Sequence, residues 1–303
     1  MYDTCNFFSF LSIFFQRLRQ FCIGNLPLVE LASDEIQIGI LALLGITASL
    51  LGSFLILRRM TMLANSLSHT ILLGIVIAYL LFGYTLDLKI MGFAAFVSAL
   101  FTALFTEGLV KLFRLNEDAS IGLVFSTLFA LGIVLITTMT RNAHIGSELI
   151  MGNLDAVKLS DLKLTAAVFA LNVGALLLLF RGYALTSFDA GFAKQIGISP
   201  RIFHYILMVQ TALTSIAAFR AVGVVLVLAL FVGPPLIAKL LTKRLKSMLL
   251  LSSVLSVVFA ICSVALSRHF YNVYAAPLST AGLTATIILI GFILALLPKW
   301  RTA

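Results

Sequence analysis

The stretch "LRRMTMLANSLSHTILLGIVIAYLL", residues 57–81, decides how this chain is read. It opens on Arg58 and Arg59 and closes as one of the most apolar runs in the sequence. From Thr61 onward it is long enough to cross a hydrocarbon core as an α-helix, which takes roughly 20 residues. Its first turns nevertheless carry Asn65, Ser66, Ser68, His69 and Thr70. Polar and ionisable side chains are costly inside a bilayer and usually line a path for a solute. The question set by this stretch is what those side chains serve.

The rest of the chain extends the membrane reading. Of its 303 residues, 61% are hydrophobic and 11% charged, and the mean hydropathy is +1.12. Soluble domains hold about half apolar residues. Apolar runs recur near 36–57, 62–83, 88–113, 119–139, 162–181, 201–219, 222–241, 248–267 and 277–297. They make about eight or nine spans of the usual length. A β-barrel would instead show short alternating segments. The expected fold is an all-α polytopic transmembrane bundle, with residues 31–303 as its main domain and 1–30 as a separate N-terminal segment.

The charges orient the spans. If the runs alternate in direction, Arg58 and Arg59, Lys111 and Arg114, Arg181 and Lys194, Lys239 to Lys246, and Lys299 and Arg301 share one side. Glu30, Asp34 and Glu35 lie on the other. Cytoplasmic loops carry the excess of Lys and Arg, so the first span starts outside and the chain ends inside. The formal charge of +9 is accounted for by topology, and no nucleic-acid partner is expected. Cys5, Cys22 and Cys262 lie far apart with no CxxC, which gives neither a disulfide framework nor a thiolate metal site. The N-terminal "FFSFLSIFFQRLRQF", residues 7–21, is apolar and then basic, the reverse of a signal peptide. It reads as an interfacial helix or an extra span, the first being favoured because Arg17 and Arg19 would otherwise sit at the outer end of a first span. Small residues mark close helix contacts in lipid. Gly45 and Ser49, and Ala48 and Gly52, give the first span such a face, and Gly122, Gly132, Gly174, Gly223 and Gly291 extend the theme.

Three stretches break the pattern of spans and short loops. In the first, Asn65 and His69 are one helical turn apart and share a face, with Ser68 beside them. Neutral imidazole is a common transition-metal ligand, and an amide oxygen can complete a shell. The alternative is a histidine at headgroup level, hydrogen-bonded to a neighbouring helix. The second is "YALTSFDAGFAKQIGISPR", residues 183–201. Ser187 or Asp189 can cap a short helix there, Gly197 suits a left-handed stop, and Pro200 opens the next span. Phe188, Phe192 and Ala193 are expected to project from it as a knob fitting a groove in a partner, unless the stretch is an ordinary loop with one helical turn. The third is "TRNAHIGSELIMGNLDAVKLSD", residues 140–161, with His144 and Glu148 at helical spacing and then Asp155. It is an outer vestibule, a docking surface or a solvated polar loop.

Four blocks in register carry a family resemblance: residues 57–81 above, "EDASIGLVFSTLFALGIVLI" (117–136), "FDAGFAKQIGISP" (188–200) and "AVGVVLVLALFVGPPLIAKLL" (221–241). Together they resemble the permease subunits of the manganese, zinc and iron ABC transporters of bacteria, the ABC-3 family, over roughly residues 36–297. The resemblance implies a permease of the type II importer kind in the bacterial cytoplasmic (inner) membrane. It implies a second permease chain completing the pore, a cytoplasmic ATP-binding subunit below and an extracytoplasmic metal-binding protein above. ATP would be bound by that partner, the transported divalent metal would be the cargo, and no covalent cofactor is implied. The 188–200 block corresponds to the coupling segment seated in the ATPase groove, which points to Phe188, Asp189, Phe192, Ala193 and Gly197. The family usually carries an acidic residue where this chain has Asn65, followed by the histidine at His69. Without that carboxylate a complete metal site within one subunit is not expected, and a heterodimer partner is implied as the source of the acid.

Other functions fit the residues less well. A secondary carrier needs acidic residues in mid-span, and the one candidate, Glu107, is placed to pair with Lys111 one turn later. An intramembrane metalloenzyme needs an open three-ligand site, and His69, His144, His204 and His269 show no such cluster. A permease for a metal chelate or a vitamin is the alternative of the same overall type. The nitrogen and oxygen ligands do not choose among manganese, zinc and iron.

Overall fold

A computed structural model describes residues 6–23, 30–82, 88–139 and 154–300. These form α1 (Phe7–Ile23), α2 (Ser33–Leu57), α3 (Thr61–Leu81), α4 (Leu88–Phe113), α5 (Glu117–Met139), a single 3₁₀ turn (Leu154–Ala156), and α6 (Leu159–Leu178). There follow α7 (Phe180–Phe188), α8 (Ala190–Gln195), α9 (Pro200–Val222), α10 (Val224–Leu241), α11 (Leu245–Tyr274) and α12 (Thr280–Trp300). No strand occurs among the described residues. A bilayer offers the backbone no hydrogen-bond partners, so helices that satisfy their own N–H and C=O groups are the natural solution.

Five stretches within these helices are long and apolar enough to cross a membrane: Ser33–Leu57, Phe93–Phe113, Leu159–Leu178, Leu245–Tyr274 and Thr280–Leu297. Two other apolar stretches, Ala119–Leu135 and Val225–Leu241, are shorter. Among the described residues these five meet the length and apolarity of a span, which does not confirm the eight or nine expected from the apolar runs.

The bundle is built around α2. Within its most apolar window 72% of the residues are buried, against 22% in α6 or α12, so α2 is the central post and those two face outward. Its neighbours are α11, α10, α6 and α9. The small-residue face expected on it is used. A Cβ at Gly45 would stand 2.9 Å from Ser256 Cβ on α11, and one at Gly52 would collide with the Phe231 carbonyl of α10. Gly132 and Gly291 also meet neighbouring helices, at Leu73 and Phe259. Gly122 and Gly174 meet nothing within 4 Å and make no close contact, contrary to the expectation from sequence. Gly223 serves a different end: its φ of 81° breaks the chain between α9 and α10.

Helix α1 packs on α11 through its buried Phe10 and Phe14 and leaves Phe8, Phe15 and Phe21 exposed. Arg17 fastens it to the head of α2 by pairing with Glu35 and donating to the Glu30 carbonyl at 2.9 Å. The outer end of α2 is also held by Asp34, which accepts from Arg268 Nε of α11 at 2.7 Å. Two carboxylates in the first turn suit the positive end of the helix dipole as well.

Candidate functional site

Two of the three singled-out stretches fall within the described residues, at the first turns of α3 and on α7–α8. In the third, His144 and Glu148 lie outside them. Of that stretch residues 154–161 are described, and of its three candidate residues only Asp155 is among them.

The α3 site starts from the turn that precedes it. At the end of α2 the N–H of Met60 reaches back to the Leu55 carbonyl at 2.8 Å, and that of Arg59 to Ile56 at 3.3 Å. This Schellman pattern needs a left-handed residue, which here is Arg59 with φ 61°. The chain reverses at once, and α3 enters with Asn65 half-buried and His69 one turn on. The imidazole of His69 lies against two rings of α5, Phe125 and Phe129, with centroids 5.1 and 5.0 Å away. Its Nδ1 is buried and has no hydrogen-bond partner among the described residues. The hydroxyl of Ser66, three residues earlier, is in the same condition. Thr70 is not: its hydroxyl donates to the Ser66 carbonyl at 3.0 Å, the usual way a threonine satisfies itself in a membrane helix. Ser68 lies on the same helix.

The first turns of α3 therefore hold one ring nitrogen and one hydroxyl with no partner among the described residues, a condition shared with Ser120 Oγ on α5 and, elsewhere, His269 Nδ1. Buried polar groups are normally paired, and one that is not is either strained or awaiting a ligand. Among the described residues no group of three or more His, Cys, Asp or Glu could hold a metal ion. Phe125 and Phe129 were not singled out from sequence. Their spacing of one turn was visible, but which face of α5 meets α3 was not.

The α7–α8 element is complete in itself. Asp189 caps α8 by accepting from the Phe192 N–H at 2.8 Å. At the other end Ile198 N–H reaches the Ala193 carbonyl at 2.9 Å, Gly197 N–H reaches Lys194 at 3.2 Å, and Gly197 has φ 82°. Cap, left-handed stop and Pro200 at the start of α9 all stand where the sequence puts them. Ser187 is not the cap: its hydroxyl accepts from Arg58 Nε at 3.0 Å. Ala193 does not project. It is fully buried. Every residue of α8 but Ala193 is exposed, and the large apolar side chains on and beside it, Phe188, Phe192 and Ile196, stand four residues apart at 67%, 50% and 50% exposure. Ile196 is the member that sequence reasoning missed.

Behind this knob, α7 is locked to three helices. Tyr183 is fully buried against Phe54 of α2 and Phe203 of α9, with centroids at 5.2 and 5.4 Å, and its hydroxyl donates to Gln210 Oε1 of α9. Gln210 Nε2 donates to the Asn172 carbonyl of α6 at 3.2 Å, and Asn172 Nδ2 donates to Thr214 Oγ1 at 3.2 Å. Burial pushes the Tyr183 phenol far above its ordinary pKa, with the Arg58 charge opposing, so it is a permanent donor. Arg58 has its own pKa lowered by burial and raised in turn by Tyr183.

Two further polar clusters flank the bundle. In one, Asp155 accepts from Thr280 Oγ1 at 2.6 Å, beside a cavity of about 280 Å³ that Gln37, Ser267 and Arg268 also line. In the other, Glu107 pairs with Lys111, as the spacing requires, in a cleft of about 300 Å³ shared with His204 and Arg201. The approach of His204 from α9 was not legible from its position in the sequence.

Comparison with known proteins agrees with this layout. A "Probable metal transport system membrane protein" of Chlamydia muridarum is 35% identical over 294 residues, covering 96% of this chain and 92% of the relative. The "Manganese transport system membrane protein MntD" of Bacillus subtilis is 37% identical over 229 residues, covering 70% and 76%. Among solved structures, PsaBC from Streptococcus pneumoniae in complex with Fab superposes with a TM-score of 0.75 at 26% identity, covering 94% of this chain and 95% of that one. The description ABC 3 transport family matches residues 35–297, nearly the whole of the helical bundle. The chain is a multi-pass membrane protein of the ABC 3 transport family.

Proposed function

We propose that the chain is the permease subunit of an ABC importer that brings a divalent transition metal into the bacterial cytoplasm across the inner membrane. It does so with eight or nine spans, a cytoplasmic ATP-binding subunit gripping the α7–α8 knob, a second permease chain completing the pathway and an extracytoplasmic metal-binding protein delivering the ion. The observation that carries this reading is the buried, unpartnered Nδ1 of His69 at the α3–α5 seam, in a chain of this family. A neutral ring nitrogen in an otherwise apolar seam is a ligand for a soft or borderline cation. A single such ligand binds weakly, and weak binding lets an ion leave again.

The chain itself carries the pathway and the handle, and the partner carries the fuel. Movement of the ATP-binding subunits shifts the knobs, the helices rock, and the seam opens alternately to each side. Asn65 in place of an acid leaves the cation's charge uncompensated, so the second permease is a different chain that supplies a carboxylate. Asp155 and its outer cluster, with His144 and Glu148, belong to the approach from the binding protein.

Uptake of radiolabelled manganese, zinc and iron into proteoliposomes tests this. The complex reconstituted with its ATP-binding subunit and both permeases is expected to accumulate metal only with ATP inside the reaction. Accumulation without nucleotide, or of a chelate in preference to the free ion, overturns the importer reading. Full activity with this chain as the sole permease overturns the heterodimer.

A further inference from the structure

Arg58 and Arg59 are adjacent cytoplasmic arginines, and topology alone asks the same of both: stay at the headgroups. They do different things. Arg59 is exposed. Arg58 is half-buried and turned inward onto α7. Its Nε donates to Ser187 Oγ at 3.0 Å, its Nη2 donates to Thr186 Oγ1, and its guanidinium carbon stands 5.9 Å from the centre of the Tyr183 ring. Positions 183, 186 and 187 form one face of one helical turn, so a single side chain grips α7 at three points.

What lies on either side of that grip gives it a consequence. On one side α7 runs into the knob with a single intervening residue, Asp189, which both ends α7 and caps α8. No slack separates the gripped turn from Phe188 and Phe192. On the other side Arg58 is the C-cap of α2, and the tight reversal through Arg59 and Met60 leads directly into α3. Met60 is buried and its N–H is tied back to Leu55. Asn65 and His69 follow within three turns. α7 cannot simply slip past: Gly182 lies flat against the Phe203 ring with no room for a Cβ, and Tyr183 is pinned to Gln210.

We propose that Arg58 is a positioning residue that transmits displacement of the cytoplasmic knob to the α2–α3 hairpin, and through it to Asn65 and His69. The proposal rests on the importer reading. It adds that the pull reaches the metal pathway through one side chain rather than through the bundle as a whole. Charge-assisted hydrogen bonds are short and directional, which is what a rigid link needs, and the planar fork of arginine makes two at once where lysine makes a point contact.

The test uses the complete reconstituted transporter, with metal uptake and ATP hydrolysis measured on the same vesicles. The wild-type complex must first take up metal with ATP. If it does not, the importer reading fails and the link is not at issue. The variants are Arg58→Gln, and from the opposite side Thr186→Val with Ser187→Ala, which leaves Arg58 in place. Each is expected to keep the ATP-binding subunit bound and to hydrolyse ATP within about twofold of wild type, while metal moved per ATP falls about tenfold, the loss due to a hydrogen bond to a charged group. Combining the two is expected to cost no more than either alone, as for partners in one interaction. Arg58→Lys is expected to restore little of the ratio. An unchanged ratio in both variants overturns the proposal. So does a parallel fall of uptake, hydrolysis and subunit retention, which marks Arg58 as a structural brace.

Discussion

The α8 knob and the first turns of α3 both interrupt apolar helices with polar residues, but they end in opposite states. On α8 the cap and the left-handed stop close on partners within a few residues: Asp189 takes the Phe192 N–H, and Ala193 and Lys194 take the two turn N–H groups. On α3 the Ser66 hydroxyl and His69 Nδ1 close on nothing among the described residues. A segment that completes its own hydrogen bonds has only shape to offer and acts on a partner by contact. A segment that leaves them open keeps them free for a partner outside the chain, which is the role proposed for His69. In lipid, where water cannot fill the gap, that distinction is sharper than in a soluble protein.

The comparison predicts its largest effect on α3. His69→Ala in the reconstituted transporter is expected to lower radiometal uptake at least roughly hundredfold, because losing a ligand exceeds the effect of losing a ligand's supporting partners. The complex is expected to assemble normally, since His69 makes ring contacts and no hydrogen bond through Nδ1. Wild-type accumulation would show that the open nitrogen awaits no cation. Loss of assembly would show that the Phe125–His69–Phe129 stack is structural.

On the knob the effect is on association. On the importer reading Phe192→Asp places a carboxylate where an apolar ring would meet the partner's groove, and removal of a central aromatic anchor costs roughly 2 kcal/mol or more, about thirtyfold in affinity. The measurement is retention of the ATP-binding subunit on the purified permease. Unchanged retention would mean that Phe188, Phe192 and Ile196 face something other than that subunit. The contrast with α3 becomes sharpest if the same two variants are crossed: His69→Ala keeps the ATP-binding subunit bound and loses metal, whereas Phe192→Asp loses both.

What the sequence disclosed follows the same division. The Asp189 cap, the Gly197 stop, the Pro200 start and the Glu107–Lys111 pair were all readable because each partner lies within about one turn, and local geometry fixes the contact. The Gly45 and Gly52 face of α2 was readable because small residues one turn apart mean close approach whatever the neighbour is. The Phe125 and Phe129 rings about His69, the inward turn of Arg58 and the link from Asp155 to Thr280 join residues far apart in the chain. They depend on how each helix is rotated about its axis, which near-uniform apolar composition does not encode. Ala193 failed for a related reason: it is the one residue of α8 turned onto the bundle, and that rotation is set by tertiary packing.

The smallest expected effect separates two turns with the same hydrogen bonds. Residues 55–60 and 193–198 both close a Schellman pattern, but the left-handed position is Arg59 in one and Gly197 in the other. A residue with a Cβ gives up about 1 kcal/mol there relative to glycine. Gly197→Ala is therefore expected to destabilise the α8 stop by about 1 kcal/mol, whereas Arg59→Gly relieves strain and returns part of the gain as unfolded-chain entropy, leaving a net gain of a few tenths. Detergent or thermal unfolding of the purified complex reads both, and uptake reads their meaning. Gly197→Ala is expected to lower transport slightly through a looser knob, and Arg59→Gly to leave it unchanged, because the exposed side chain at 59 makes no grip and the buried one at 58 does. Loss of transport in Arg59→Gly would move the working contact from Arg58 to its neighbour.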